Sequence, residues 1–488
     1  MFDNLLIYIL FLPLVGILLI LLYSSYNSKI LKLIALNFSV LPFLGSLFVW
    51  AYFEKSIGQF QFVVKNFWLN NLNLNIILGI DGISIFFLLL TTMLIPICIL
   101  LSWSSVKKDL KEYLIAFLLL EFFLIGVFCI LDLLLFYIFF ESVLLPMFLI
   151  VGVWGSRERK ILASYYFFLY TLLGSVVMLL SILYIFYQVG TTDYEVLVSF
   201  SFSELEQKIL WLTFFLAFAS KVPMVPVHLW LPEAHVEAPT AGSVILAGVL
   251  LKLGTYGFIR YSIPFFPKAS FFFTPLVYTI AVIGIIYTSF TAIRQSDFKR
   301  IIAYTSIAHM NLVMLGIFSF NSIGIEGAIF QSLSHGFVAS ALFLVIGIVY
   351  DRYHTRIVKY YSGLASVMPI YISIFLFFTM ANIAFPGTSS FIGEFLLLAG
   401  SFKSNTSVTF LGATGVILSG AYSLWLLNRI AFGNMKVQYY TKFIDLNHRE
   451  FICFLPLILG TLFLGIFPGI VLSSVHFSVN YLIELIYF

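Results

Sequence analysis

Charge is what this sequence has least of. Only 10% of its 488 residues are Asp, Glu, Lys or Arg, against 61% hydrophobic, whereas soluble globular domains carry about 25% charged residues. A soluble globular chain is thereby excluded. Cysteine is almost as scarce. The three present, Cys98, Cys129 and Cys453, stand alone in apolar runs and form neither a metal spacing nor a disulfide framework, so they read as small core hydrophobes. A Gly-rich phosphate loop is missing, and with it a nucleotide site of that kind. The basic residues are scattered through short loops without the stripe that nucleic-acid binding requires, so no nucleic-acid partner is expected. The first 25 residues lack a basic leader and a small-residue cleavage site, so they read as an uncleaved first span.

What is there is a series of long apolar runs. A run of roughly 20 apolar residues crosses a bilayer core of about 30 Å as a helix. Open sheets are excluded from lipid by their unsatisfied backbone groups, and the period-2 pattern of a membrane barrel is absent from nearly all of the chain. The expected fold class is an all-α integral membrane protein of about fourteen transmembrane helices, near 4–24, 31–53, 83–103, 112–130, 133–153, 161–188, 208–231, 241–262, 272–294, 299–318, 324–350, 366–402, 407–431 and 451–473. Residues 59–78 differ. Phe60, Phe62 and Val64 alternate with polar neighbours, Asn70-Asn71 offers a turn, and Leu72, Leu74 and Ile76 follow, which predicts a short hairpin outside the membrane. Residues 474–488 read as a terminal interfacial segment.

The basic residues set an orientation. Most of the 26 Lys and Arg fall in loops after odd-numbered spans, among them Lys107, Lys108, Arg157, Arg159, Arg294, Lys299, Arg352, Arg356 and Lys359. Lys55, Lys65, Lys208, Arg260, Lys268 and Lys403 fall after even ones. Positive loops stay on the cytoplasmic or matrix side, so both termini are expected on the outer side.

Within the spans stand seven ionisable residues: Glu121, Glu141, Lys221, Lys252, His309, His335 and Glu394. A charge at mid-bilayer costs at least about 2.5–3.5 kcal/mol and normally faces a protein interior and a partner. Any one of them could be half of a structural ion pair, and a lone buried His is often a satisfied core residue. A series of acids, bases and neutral His spread over several spans is instead what stepwise proton transfer requires. A lysine beside a carboxylate that can move is a switchable proton site, and Glu141 is the expected partner of Lys221. Glu121 has no Pro or Gly break nearby, and a structural or lateral role fits it equally. Asp132, Glu233, Glu237 and Glu326 fall at span edges or in loops and read as solvated.

Two spans are expected to be broken. Lys221 is followed by Pro223 and Pro226, and Glu394 is preceded by Pro386-Gly387 and Gly393. Proline inside a span removes a backbone hydrogen bond, and such breaks persist where the freed groups line a cavity or ion site. Broken spans at matching places in two halves mark inverted-repeat transporters. The expected division is a three-helix segment at 1–110 carrying the hairpin, a five-helix repeat at 111–262, an inverted five-helix repeat at 272–432, and a C-terminal helix and tail at 433–488. Spans 7 and 12 are the broken ones.

The segments FFESVLLPMFLIVGVWGSRERK, KVPMVPVHLWLPEAHVEAPTAGSVILAGVLLKLGTYGFIRY, DFKRIIAYTSIAHMNLVMLG, LSHGFVASALF and PGTSSFIGEF together closely resemble the subunit-4 family of antiporter-like membrane subunits in respiratory complex I, NADH:ubiquinone oxidoreductase. The resemblance runs from about residue 78 to 432. It implies two inverted five-helix repeats and a proton path through Glu141, Lys221, Lys252, His309, His335 and Glu394. It implies a non-redox subunit of the enzyme, with no cofactor of its own. NADH, FMN, iron–sulfur clusters and ubiquinone belong to partner subunits. It also implies partners in the membrane arm, including the subunit 2-like and subunit 5-like antiporter homologues, whose twelfth span typically carries Lys where this chain has Glu394, and contact with membrane lipids. Glu121 has no counterpart carried over from the family. The form HLWLPEAHVEAPTAGS favours a mitochondrial inner membrane, with a bacterial inner membrane as the other location. The other readings are a subunit of a multi-subunit Na+/H+ antiporter and a scaffold whose buried charges only hold helices together.

Overall fold

The computed structural model describes residues 4–69, 74–435 and 444–487. Thirteen of its helices are long and apolar enough to cross a membrane. Twelve of them match expected spans. The two expected spans without such a helix are the seventh and the twelfth, the two whose prolines predicted a break. Span 7 becomes the helix Glu204–Lys221, a turn, and the short helix Trp230–Glu237. Span 12 becomes Pro369–Asn382 and Ser389–Ser404.

The C-terminal end is more ordered than a tail. The residues read as a terminal interfacial segment belong to Gly469–Tyr487, a 19-residue helix whose Ser478 hydroxyl accepts from the Gly82 amide just after the hairpin. The reading carried span 14 to residue 473 through Pro468-Gly469. That pair ends the helix His448–Ile466 and starts a new one, because proline disfavours helical backbone in the residue before it.

The chain divides into two compact units. The first comprises Met1–Val222, Val249–Pro275 and Val471–Phe488. It contains the hairpin, with β1 (Gln61–Leu69) antiparallel to β2 (Leu74–Ile80) and Val64, Lys65 and Asn66 opposite Leu78, Ile77 and Ile76. The expected Asn70-Asn71 turn lies outside the described residues. Asp132, read as solvated, is buried here. It caps the helix that starts at Leu133 by accepting from the Leu135 amide at 2.9 Å, and it accepts from the Thr192 hydroxyl at 2.5 Å. Burial pushes its carboxyl above the usual carboxylate range.

The second unit comprises Pro223–Gly248 and Leu276–Ile470. Its helices Ser322–Tyr353 and Ser389–Ser404 pack most intimately. A Cβ on Gly400 would stand 2.3 Å from the Cα of Gly324. Glycine at position 400 is what lets these backbones touch.

The spans differ in how much they bury. Of an apolar 18-residue stretch of Ser28–Tyr52, 28% is buried, and the helix presents side chains such as Leu33, Leu44 and Phe48 outward. Of an apolar 18-residue stretch of Ser322–Tyr353, 94% is buried. An outward apolar face is stable in lipid, and the chain is a multi-pass membrane protein.

Candidate proton-transfer sites

The six expected site residues fall three to each unit. Glu141, Lys221 and Lys252 lie in the first, and His309, His335 and Glu394 in the second.

In the first unit each residue stands at an irregularity of its helix. Glu141 is one residue from the end of the helix Leu133–Ser142, which restarts at Leu144. Pro146 has no N–H to bond the Ser142 carbonyl, and the span yields there. Lys221 is the last residue of its helix, where the ammonium complements the negative end of the helix dipole. The backbone then turns through Pro223 and Pro226 before Trp230. Lys252 lies on a seven-residue α-helical stretch, Leu251–Gly257, between two π-helical turns, Leu246–Leu250 and Phe258–Ser262. Such turns are frequent at functional sites. Gly254, two residues after Lys252, lets the end of Lys221's helix approach closely: a Cβ there would meet the Phe218 carbonyl at 2.7 Å and the Val222 side chain at 2.6 Å.

Glu141 and Lys221 are not joined by an ion pair within 4.0 Å; each nevertheless lies within the electrostatic reach of the other. The Lys221 ammonium sits 4.7 Å above the ring of Phe140, the residue beside Glu141. Among the described residues, the Lys221 nitrogen makes no hydrogen bond to the chain, and the Glu141 carboxylate has the Ser175 hydroxyl nearby without a well-formed bond to it. Buried polar atoms are normally satisfied by protein or by ordered water. The arrangement is therefore a buried base and a half-buried acid with enclosed carboxylate oxygens, held near each other without being locked together. Glu121 is also buried, with neither oxygen hydrogen-bonded among the described residues.

The second unit is organised differently. His309 Nδ1 lies 3.0 Å from Glu394 Oε1, and Gln331 Nε2 donates to the same oxygen at 3.2 Å. The His309 and His335 rings are 5.9 Å apart between centroids. Glu394 sits in the second turn of its helix, just after the break at Ile383–Thr388, where Ala384 and Gly387 have positive φ. A proton on His309 Nδ1 can pass to Glu394 along a contact already formed.

The sequence reading missed further buried charge. Arg260, assigned to a loop, lies inside the Thr240–Phe265 span and pairs with buried Asp81 at 2.5 Å, with Phe60 and Tyr256 against the guanidinium. The solvated reading of Glu237 is likewise overturned. It is 2% exposed, 3.7 Å from the Arg356 guanidinium. Lys299 is buried beside it and donates to the Ala238 carbonyl at 2.8 Å and to Ser243 at 3.1 Å. Glu233 is half-buried and pairs with Arg300 at 2.5 Å. The usable signal was the density of charge in DFKR and PEAHVEAP: several ionisable groups at one end of neighbouring spans can satisfy one another.

Comparison with known proteins agrees with the fold. The family described as NADH:quinone oxidoreductase/Mrp antiporter, TM, matches residues 131–420. The chain is similar to NADH-ubiquinone oxidoreductase chain 4 of Marchantia polymorpha, 60% identical over 97% of this chain and 96% of the relative. The same-named protein of Arabidopsis thaliana is 58% identical, over 97% of this chain and 95% of its own. Among solved structures, a chain of respiratory complex I from Thermus thermophilus with bound NADH superposes with a TM-score of 0.89, at 29% identity and 99% coverage of both chains. A chain of the Mrp complex from Dietzia sp. DQ12-45-1b shares the fold at 19% identity, with a TM-score of 0.86 and 99% coverage of both chains.

Proposed function

Because the chain belongs to the NADH:quinone oxidoreductase/Mrp antiporter family, we propose that it is a membrane-arm subunit of NADH:ubiquinone oxidoreductase that moves protons across the membrane. The enzyme assignment is supported by identity near 60% over almost the whole chain to relatives of that name. The Mrp antiporters share the fold but lie much further away in sequence. NADH oxidation and quinone reduction take place in partner subunits, which hold FMN, the iron–sulfur clusters and ubiquinone. The neighbours within the arm are antiporter-like homologues of the subunit 2 and subunit 5 kinds. The membrane is the mitochondrial inner membrane, with both termini in the intermembrane space.

The observation that carries the proton reading is the contrast of contacts among the six residues. An acid and a lysine stand near each other unpaired, while a histidine and an acid stand in hydrogen-bond contact. A shift driven from elsewhere in the enzyme changes the separation of Glu141 and Lys221, and with it the proton affinity of the lysine. Protons pass by Lys252 and the histidines to Glu394 and leave on the outer side. Each outward proton works against about 2.3 kcal/mol per 100 mV of membrane potential, while a change of one pKa unit supplies only about 1.4 kcal/mol. Several coupled sites, or one large change, are needed. The test replaces Lys221 by Ala in the assembled enzyme and measures protons translocated per NADH oxidised. A marked fall is expected, and unchanged pumping overturns the assignment.

A further inference from the structure

Lys252, Tyr256 and Arg260 stand four residues apart on the Thr240–Phe265 span. The first two share the α-helical stretch Leu251–Gly257, so they lie on one face of it. Arg260 follows in the wide turn Phe258–Ser262, and its Nε donates to the Tyr256 hydroxyl at 3.2 Å. That hydroxyl directs its own hydrogen to the Phe128 carbonyl, at 3.4 Å. Eight residues of helix rise roughly 12 Å, so the arginine lies about that far beyond the lysine along the axis.

Beyond Arg260 lies the surface. A cleft of about 300 Å³ is lined by Gln59, Phe60, Tyr194, Glu195 and Tyr481, among others. Glu195 and Tyr481 are exposed, and Glu195 lies 3.5 Å from the exposed Lys65 of the hairpin. The cleft therefore opens where charges are solvated. Two of its walls, Phe60 and Tyr194, also flank the guanidinium, with ring centroids at 4.9 and 5.7 Å. Arg260 itself is 3% exposed. It stands directly behind the cleft wall and out of reach of solvent. On the proposed orientation this cleft faces the outer side. Lys252 thus has a short line to the outer side within its own unit, and Tyr256 and Arg260 stand on that line.

The chemistry of arginine closes the line. A guanidinium has N–H donors and no acceptor, and it keeps its proton in proteins. It can neither take a proton from the Tyr256 side nor hand one to the cleft. An arginine set in a conducting path is one way in which membrane pores exclude protons. Asp81 holds it in place: one carboxylate oxygen accepts from the guanidinium at 2.5 Å and from the Ser84 amide at 3.0 Å.

We propose that Arg260 is a proton barrier. With Asp81 and the rings around it, it seals the outer end of the first unit, so a proton held at Lys252 does not escape there and is left to the path through the histidines. This rests on the reading of Lys252 as a proton site.

The experiment places the assembled enzyme in phospholipid vesicles and reads two quantities: the decay of an imposed pH gradient without NADH, and the protons translocated per NADH oxidised. The main variant combines Arg260→Gln with Asp81→Asn, which removes both charges at once and leaves neither member as an unpaired buried ion. Its gradient is expected to decay at least threefold faster than the parent's, with fewer protons translocated per NADH. Adding Lys252→Met is expected to return the decay to the parent rate. Arg260→Lys is the second variant. It keeps a cation for Asp81, but one able to give up its proton when buried, so its gradient is also expected to decay faster. Parent-rate decay in the double variant, or in Arg260→Lys where the double variant does not assemble, overturns the barrier. Fast decay that Lys252→Met leaves unchanged also overturns it. If Lys252→Met alone stops translocation while the Arg260 variants hold the gradient, only the barrier falls. If Lys252→Met alone pumps at the parent level, the proton-site reading of Lys252 falls, and the barrier with it.

Discussion

The two clusters of titratable residues solve the same problem in opposite ways. In the first unit half-buried Glu141 and buried Lys221 lie near each other with no direct bond, and Lys221 rests on the face of Phe140. In the second, His309 and Glu394 are already in contact, steadied by Gln331. An unlocked pair can respond to a small displacement, because its interaction falls steeply with distance in a low dielectric. A formed pair transfers a proton without first moving. On the proposed proton path, the first cluster is the one suited to an energy-coupled step and the second to onward delivery.

The comparison breaks most visibly at Glu394. Replacement by Gln keeps the shape and the contact with Gln331 but removes the titrating group, and proton translocation should fall by roughly 10²-fold, in line with losses of positioned acids and bases. Glu141→Gln sharpens the contrast. If the unlocked pair governs coupling, this variant loses proton translocation while NADH oxidation in the presence of an uncoupler is kept. Loss of both activities together would assign Glu141 a structural role instead.

How much of this was legible in the sequence depends on what kind of signal each feature left. The broken spans were readable because proline and glycine act locally: Pro223, Pro226 and Pro386-Gly387 each interrupt the backbone where they stand. The irregularity beside Glu141 was less visible, since Pro146 lies four residues beyond the break it causes in the hydrogen-bond ladder. The π turns around Lys252 leave no mark of their own, because every residue of LAGVL and FIRYS is compatible with an ordinary helix. Arg260 and Glu237 were misplaced for a different reason. Their burial depends on Asp81 and Arg356, about 180 and 120 residues away in sequence, and no local pattern reports a partner at that separation.

The next predictions concern those missed residues and the packing that holds the lysines. Arg260→Met leaves Asp81 buried without its cation, and breaking such a pair costs about 3–5 kcal/mol, which should appear as lost assembly on native gels. Gly254→Leu forces a side chain into the space filled by Phe218 and Val222. A cost of about 1–3 kcal/mol should lower the thermal stability of the assembled enzyme and disturb pumping through Lys221 and Lys252 before it disturbs Glu394. The smallest effect is expected at Ser203, which caps the helix ending in Lys221 and shares a capping box with Glu206. Ser203→Ala should cost about 1 kcal/mol, seen as a small shift in melting with pumping unchanged.

The stretch that bears Lys252 can be viewed as a machine part. Leu251–Gly257 is a rod of fewer than two full turns, with a wider turn at either end. An ordinary helix advances about 100° per residue, so a wide turn that slides past a residue re-aims that residue by about this angle while the helix on either side keeps its seat. Lys252 stands two residues from the first wide turn, so a slide of that length would carry the ammonium round. A long helix could then change where one side chain points without being unpacked from its neighbours.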